Sequence, residues 1–173
     1  MFSYTNAPEK RINLGIDPSA STLQHMKTAI IEGSKNQYVR KFAEHLVENV
    51  SDRDEWGEID AIFTFLQHHT RFAKDPRGLE YIRTPYEVLT RIERGDIPSL
   101  DCDDYTVTGL ALARTLGYPT MIKATSYTPN KTLSHVYGKV QIHGEWVNFD
   151  AVRKDRSLGW EASNITNHLG VMI

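Results

Sequence analysis

The apolar residues of this chain recur with two different periods, and the change of period divides it. From Ser21 they return every three or four positions. Leu23, Met26 and Ile30 share one face, and Gly33-Ser34 ends that run. The spacing continues in Val39, Phe42, Leu46 and Val50, predicting a second helix over 36–50. Ile59, Ile62, Phe63 and Leu66 predict a third over 54–69. Residues 71–83 read as extended around the turn residues Asp75-Pro76-Arg77-Gly78. Thr84-Pro85 has the form of an N-cap followed by proline at the first helical position. It opens a short helix to Glu93, and Gly95, Pro98 and Ser99 make the next loop. The strongest stripe is Val107, Leu110, Ala111, Ala113 and Leu116. Asp101 is its N-cap, Asp104 stands at the capping-box position, and Gly117-Tyr118-Pro119 is its stop. Residues 1–20 show no period and read as an irregular arm.

After Pro119 the period becomes two. Residues 121–127, 134–142 and 145–151 read as strands, with Pro129-Asn130 in the first connection and His143-Gly144 as a two-residue hairpin turn. That turn sets Ile142 opposite Glu145, Val140 opposite Val147 and Gly138 opposite Phe149. One face of the hairpin then carries Val136, Val140, Ile142, Val147 and Phe149. The other carries His135, Tyr137, Lys139 and Gln141 with Trp146, Asn148 and Asp150. A last short helix is expected over 161–168. Helices first and antiparallel strands second make an α+β chain, read as one domain over 1–173: N-terminal arm and helices 1–53, core 54–152, C-terminal segment 153–173.

Composition narrows the class. Lys and Arg number 20 against 22 Asp and Glu, a net charge of −2. That balance provides no basic footprint for nucleic acid or an anionic membrane. The first thirty residues lack a signal-peptide pattern, and no apolar run approaches a membrane span. A single cysteine forms no internal disulfide, so the expected setting is cytoplasmic and reducing.

That cysteine, Cys102, falls at the start of the strongest helix, where the partial positive charge favours a thiolate. Asp101, Asp103 and Asp104 act in the opposite direction, so a reactive thiol needs a cation. The hairpin supplies a candidate. His135 and Asp150 are diagonal neighbours on one face, about 7–8 Å apart, within reach of a carboxylate that holds and orients an imidazole. Taken alone, His135 and Asp150 read first as solvated residues on an exposed strand, while Cys102 reads equally as a buried structural thiol. Together they form a sufficient set for nucleophilic acyl chemistry.

Asp101-Cys102-Asp103-Asp104 opening a helix that ends Leu116-Gly117-Tyr118-Pro119, then Ser134-His135-Val136, then Trp146-Val147-Asn148-Phe149-Asp150, resembles the transglutaminase-like cysteine peptidase superfamily. The likeness covers about residues 60–152. It implies a papain-like, transglutaminase-like α+β fold whose N-terminal helices precede an antiparallel sheet packed on the Cys-bearing helix. It also implies Cys102 as nucleophile, His135 as general base and acid, and Asp150 orienting it. A thioester would form on a protein or peptide substrate, with no cofactor and no metal. Asp103, through its backbone N–H, and Trp146 are the candidate oxyanion and substrate-binding residues. Leu100 stands where the superfamily carries glycine two residues before the cysteine. Members of this kind, peptidases, amidases or cross-linkers, occur in bacteria and their phages. The alternative function is a non-enzymatic assembly protein, for example a phage virion component, that keeps the fold.

Other constellations carry less. His68-His69 ends an apolar helix with no second ligand cluster at metal spacing. Asp101-x-Asp103-Asp104 fails as a calcium loop, since Thr106 and Leu112 occupy the positions that need glycine and an acid. Tyr105 reads as a packing aromatic, and Trp160 has no register to place it.

Overall fold

The computed structural model describes residues 11–12, 18–75, 80–128 and 133–173. Strand β1 (Arg11–Ile12) is followed by helices α1 (Pro18–Ser34), α2 (Gln37–Val47) and α3 (Glu55–His69). Short strands β2 (Arg71–Phe72) and β3 (Glu80–Tyr81) lead to α4 (Pro85–Glu93) and β4 (Ser99–Leu100). Helix α5 (Cys102–Thr115) is followed by the four strands of the main sheet. These are β5 (Thr120–Ser126), β6 (His135–Ile142), β7 (Glu145–Phe149) and β8 (Asn167–Met172).

The helix starts follow from local chemistry. Asn36, Asp54, Thr84 and Asp101 each cap a helix by accepting a backbone N–H of its first turn, and Pro85 occupies the first turn of α4. Helix α5 ends as a Schellman motif. Gly117 adopts φ 101°, its N–H bonds Arg114 O at 3.0 Å, and Tyr118 N–H bonds Ala113 O at 3.2 Å. The β6–β7 turn has positive φ at both His143 (49°) and Gly144 (86°), the primed turn whose twist matches the strands. The pairing is Gly138↔Phe149, Val140↔Val147 and Ile142↔Glu145, as the turn requires.

Every residue of α5 from Asp103 to Ala113 is buried, which makes it the central helix. Helices α1, α2 and α3 pack on one side of it and β6 on another. Two glycines allow the closest approaches. A Cβ on Gly109 would lie 2.4 Å from Phe149, and one on Gly138 would lie 2.5 Å from Leu110. Helix and hairpin therefore interlock, aromatic ring against one glycine and leucine against the other. Phe63 of α3 meets Phe149 edge to face at 5.3 Å, tying the helical layer to β7.

The sheet runs β7-β6-β5-β8, antiparallel throughout. Two expectations are corrected here. No helix forms over 161–168: Thr166 N–H bonds Ser126 O, and Asn167–Met172 pairs with β5 along its full length. Asn167, Gly170 and β-branched Val171 are weak helix formers, and the open edge of β5 offers each backbone group a partner. Ser99 is not simply loop. Ser99 and Leu100 pair in parallel with Arg71 and Phe72, a strand too short to leave a period in the sequence. Helix α1 starts at Pro18, ahead of its first apolar residue, and α2 ends at Val47. The expected arm outside 11–12 and 18–20, the Pro76–Gly78 turn and Pro129-Asn130 lie outside the described residues. Among those described, no helix is long and apolar enough to cross a membrane.

Candidate active site

Strand β4 delivers the chain to Cys102. Leu100 is fully buried, and its carbonyl accepts the Ala73 N–H at 2.8 Å, so the residue two before Cys102 is anchored in the core. Asp101 turns the chain into α5: its carboxyl accepts Asp104 N–H at 3.4 Å and its carbonyl accepts Tyr105 N–H at 3.2 Å. Cys102 is the first helical residue. One turn on, the Thr106 hydroxyl reaches Cys102 O at 2.7 Å and Val136 O at 3.3 Å. The Val136 N–H faces the sulfur. The helix start is thus seated on β6 at the residue after His135.

His135 and Asp150 meet, as the hairpin register predicts. His135 Nε2 lies 2.8 Å from Asp150 Oδ2, and the two side chains are 15% and 7% exposed. A carboxylate only accepts, so Nε2 carries the proton and Nδ1 is the basic nitrogen. The imidazole is flanked by aromatic rings, Tyr127 stacked at 6.2 Å and Tyr137 at 5.7 Å. Tyr137 and Lys123 both donate to Glu161, Lys123 at 2.6 Å, so the segment leading to β8 is fastened across this face of the sheet. Trp160 lies under Arg153 and Arg156, with the guanidinium carbons 5.2 and 5.0 Å from its ring centre.

Electrostatics around the sulfur oppose ionisation. Burial pushes the Cys102 thiol up, and the Asp103 and Asp101 carboxyls push it further. Its hydrogen-bond partner is Asp103 Oδ1 at 3.6 Å. Asp101 is itself raised, by burial first and then by Asp103. Asp104 is fully buried. Its side chain does not complete a capping box but turns to Arg83, accepting the Arg83 backbone N–H at 2.8 Å and the guanidinium at close range. Burial and Asp101 still bring Asp104 up to about 7, against the pull of Arg83.

Two solved structures share this arrangement of helices and sheet. One is a cysteine-protease candidate from Cytophaga hutchinsonii, at TM-score 0.50 and 16% identity over 82% of this chain and 53% of that one. The other is a protease candidate from Parabacteroides distasonis, at TM-score 0.59 and 13% identity over 75% of this chain and 26% of that one. The chain shares its fold with these two candidate proteases. A TGase crystal structure aligns at TM-score 0.40 and 12% identity, over 82% of this chain and 34% of that one. This chain spans about half of the first of these proteins and a quarter of the second. No protein-family model and no curated protein matches it.

Within this fold, Cys102 sits at the helix start and His135 is bonded to Asp150. Asp103 is buried beside the thiol. Trp146 is not brought to them. It pairs across the strand with Gln141, about 13 Å along β7 from Asp150 at the usual strand rise. Tyr105 is buried and holds Thr70 through its hydroxyl at 2.6 Å. His69 is used locally, stacked on Phe65 at 4.5 Å with Nδ1 on the Phe65 carbonyl. Sequence reasoning missed Thr106, which helical spacing from Cys102 would have flagged. It also missed Arg83, whose partner lies 21 residues away with no pattern linking the two.

Proposed function

We propose that this chain is a cysteine-dependent acyl-transfer enzyme, a peptidase, amidase or transglutaminase, acting on an amide or peptide bond of a protein or peptide. Residues 54–152 form its catalytic core, and Cys102, His135 and Asp150 carry the chemistry. The observation that supports it most is the buried 2.8 Å bond between His135 Nε2 and Asp150 Oδ2 on the strand that receives the start of the Cys102 helix.

Asp150 keeps the proton on Nε2, leaving Nδ1 as the base. The Cys102 sulfur attacks the carbonyl carbon as its proton passes to Nδ1, and the C=O electron pair moves onto oxygen. The backbone N–H groups of Cys102 and Asp103 face that oxyanion. Collapse expels the amine, which takes the proton back from Nδ1, and leaves a thioester. Water or a second amine, deprotonated by Nδ1, then displaces the thiolate, which recovers its proton. Burial and the neighbouring carboxyls keep the resting thiol neutral, so proton transfer accompanies attack instead of preceding it. The test uses casein with and without a primary amine, and traps the thioester with hydroxylamine. Turnover should fall by roughly 10³-fold or more in Cys102→Ala and in His135→Gln.

A second reading is favoured by one observation: the thiol is held up by burial and faced by Asp103. On this reading the fold is retained for assembly and the site is silent. Iodoacetamide separates the two. An enzyme shows Cys102 alkylated faster in the wild type than in His135→Gln at pH 7. A silent fold shows equal slow rates, and its Cys102→Ala protein still assembles with its partners.

A further inference from the structure

We infer that Gln67, near the C-terminal end of α3, is a positioning residue for Asp150, acting through the loop 151–158; the inference rests on the Cys102–His135–Asp150 reading above. Asp150 is weakly constrained by its own bonds. Oδ2 is on His135, while Oδ1 is buried with no hydrogen-bond partner among the described residues. The β6–β7 ladder ends one residue earlier, at Gly138↔Phe149. Neither a second side-chain bond nor the sheet sets the direction of the carboxylate, so its aim depends on the chain that follows.

That chain is irregular, with one internal backbone bond from Arg156 N–H to Arg153 O at 3.0 Å. Gln67 holds it from outside. Gln67 is 8% exposed, and its carboxamide nitrogen donates to Arg153 O at 2.8 Å and to Arg156 O at 3.0 Å. Both donors are used, and a buried amide is tolerated only when so bonded. A second tie comes one helical turn on, where Lys154 Nζ donates to Thr70 O at 2.6 Å. Thr70 in turn bonds Tyr105 of α5. Asp150 is thereby referred, through the loop and α3, to the helix that begins at Cys102.

The test observes the His135 ring by NMR in the ¹⁵N-labelled full chain, its signals assigned with His135→Gln. In the wild type the Nε2–H proton is protected from exchange by Asp150. Asp150→Asn should speed that exchange. Gln67→Met, close in length and without donors, should speed it by up to about tenfold, the equivalent of one hydrogen bond. Lys154→Met, at an exposed position, should act in the same direction and less. If Asp150→Asn speeds exchange while Gln67→Met and Lys154→Met leave it at the wild-type rate, Gln67 is merely structural and this inference is overturned, with the triad reading intact. If Asp150→Asn changes nothing, the triad reading falls and this inference with it. Should Gln67→Met not fold, Lys154→Met decides alone, and an unchanged rate there overturns the proposal.

Discussion

Asp101, Asp103 and Asp104 crowd three carboxyls into the entry of one helix, and Asp104 is bonded to the Arg83 guanidinium. A raised carboxyl in the folded state stabilises the fold below the ordinary aspartate range, and that contribution is lost as pH rises through the raised value. Asp101 and Asp104 are both raised, Asp104 to about 7. The contribution of this cluster therefore falls from acid toward neutral pH. Asp101→Asn keeps the cap, because the amide oxygen still accepts the Asp104 N–H, and removes one titrating group. Its urea midpoint should change less between pH 5 and pH 8 than that of the wild type. A slope as steep as wild type would mean that Asp101 titrates normally. Above its raised range of about 8 the Asp101 carboxyl is charged and pushes the Cys102 thiol up, so iodoacetamide should alkylate Asp101→Asn faster than the wild type at pH 9.

Between elements, the Arg83–Asp104 pair and the glycine contacts decide how α5 is seated. Arg83→Met would leave Asp104 buried without its cation, a loss of about 3–5 kcal/mol when Asp104 is charged. Because Asp104 lies near 7, the loss should be large at pH 8 and much smaller at pH 5.5, read as the change in urea unfolding free energy at each pH. Gly109→Ala sets two effects against each other. Helix propensity gains about 1 kcal/mol, while a methyl 2.4 Å from Phe149 forces repacking that typically costs about 1–3 kcal/mol. The obstacle is a ring held by Phe63, so packing should win and the variant should be less stable than the wild type. A more stable Gly109→Ala would show that the hairpin shifts freely relative to the helix.

Over the whole molecule, the core is continuous from α3 through α5 to β7, with Phe63, Leu66, Leu110 and Phe149 buried in one cluster. Trp56 on α3, Trp146 on β7 and Trp160 in the following loop sample both layers. Urea curves from tryptophan fluorescence and from far-ultraviolet circular dichroism should coincide, as for one cooperative unit. Phe63→Ala should move both by the same amount, about 3–5 kcal/mol for a buried phenylalanine. Separate midpoints would mean that the helical layer and the sheet unfold independently.

How much of this was legible depends on how far apart the interacting residues lie. His135 and Asp150 are joined by one hairpin, and His143-Gly144 dictates its register; the face they share was therefore readable from a two-residue turn and a period of two. The start and stop of α5 were equally local, set by Asp101 and Gly117. By itself the sequence determined the Cys102 helix, the two strands of the hairpin, its register and the chain order Cys, His, Asp, because period and turn chemistry act over a few residues. Tertiary structure alone decided that Asp104 faces Arg83, that residues 167–172 complete the sheet as a strand, that Gln67 grips the loop after Asp150, and that the half-buried Cys102 thiol sits among carboxyls. Each of these is a contact across 20 or more residues or a consequence of burial, and neither leaves a local pattern to read.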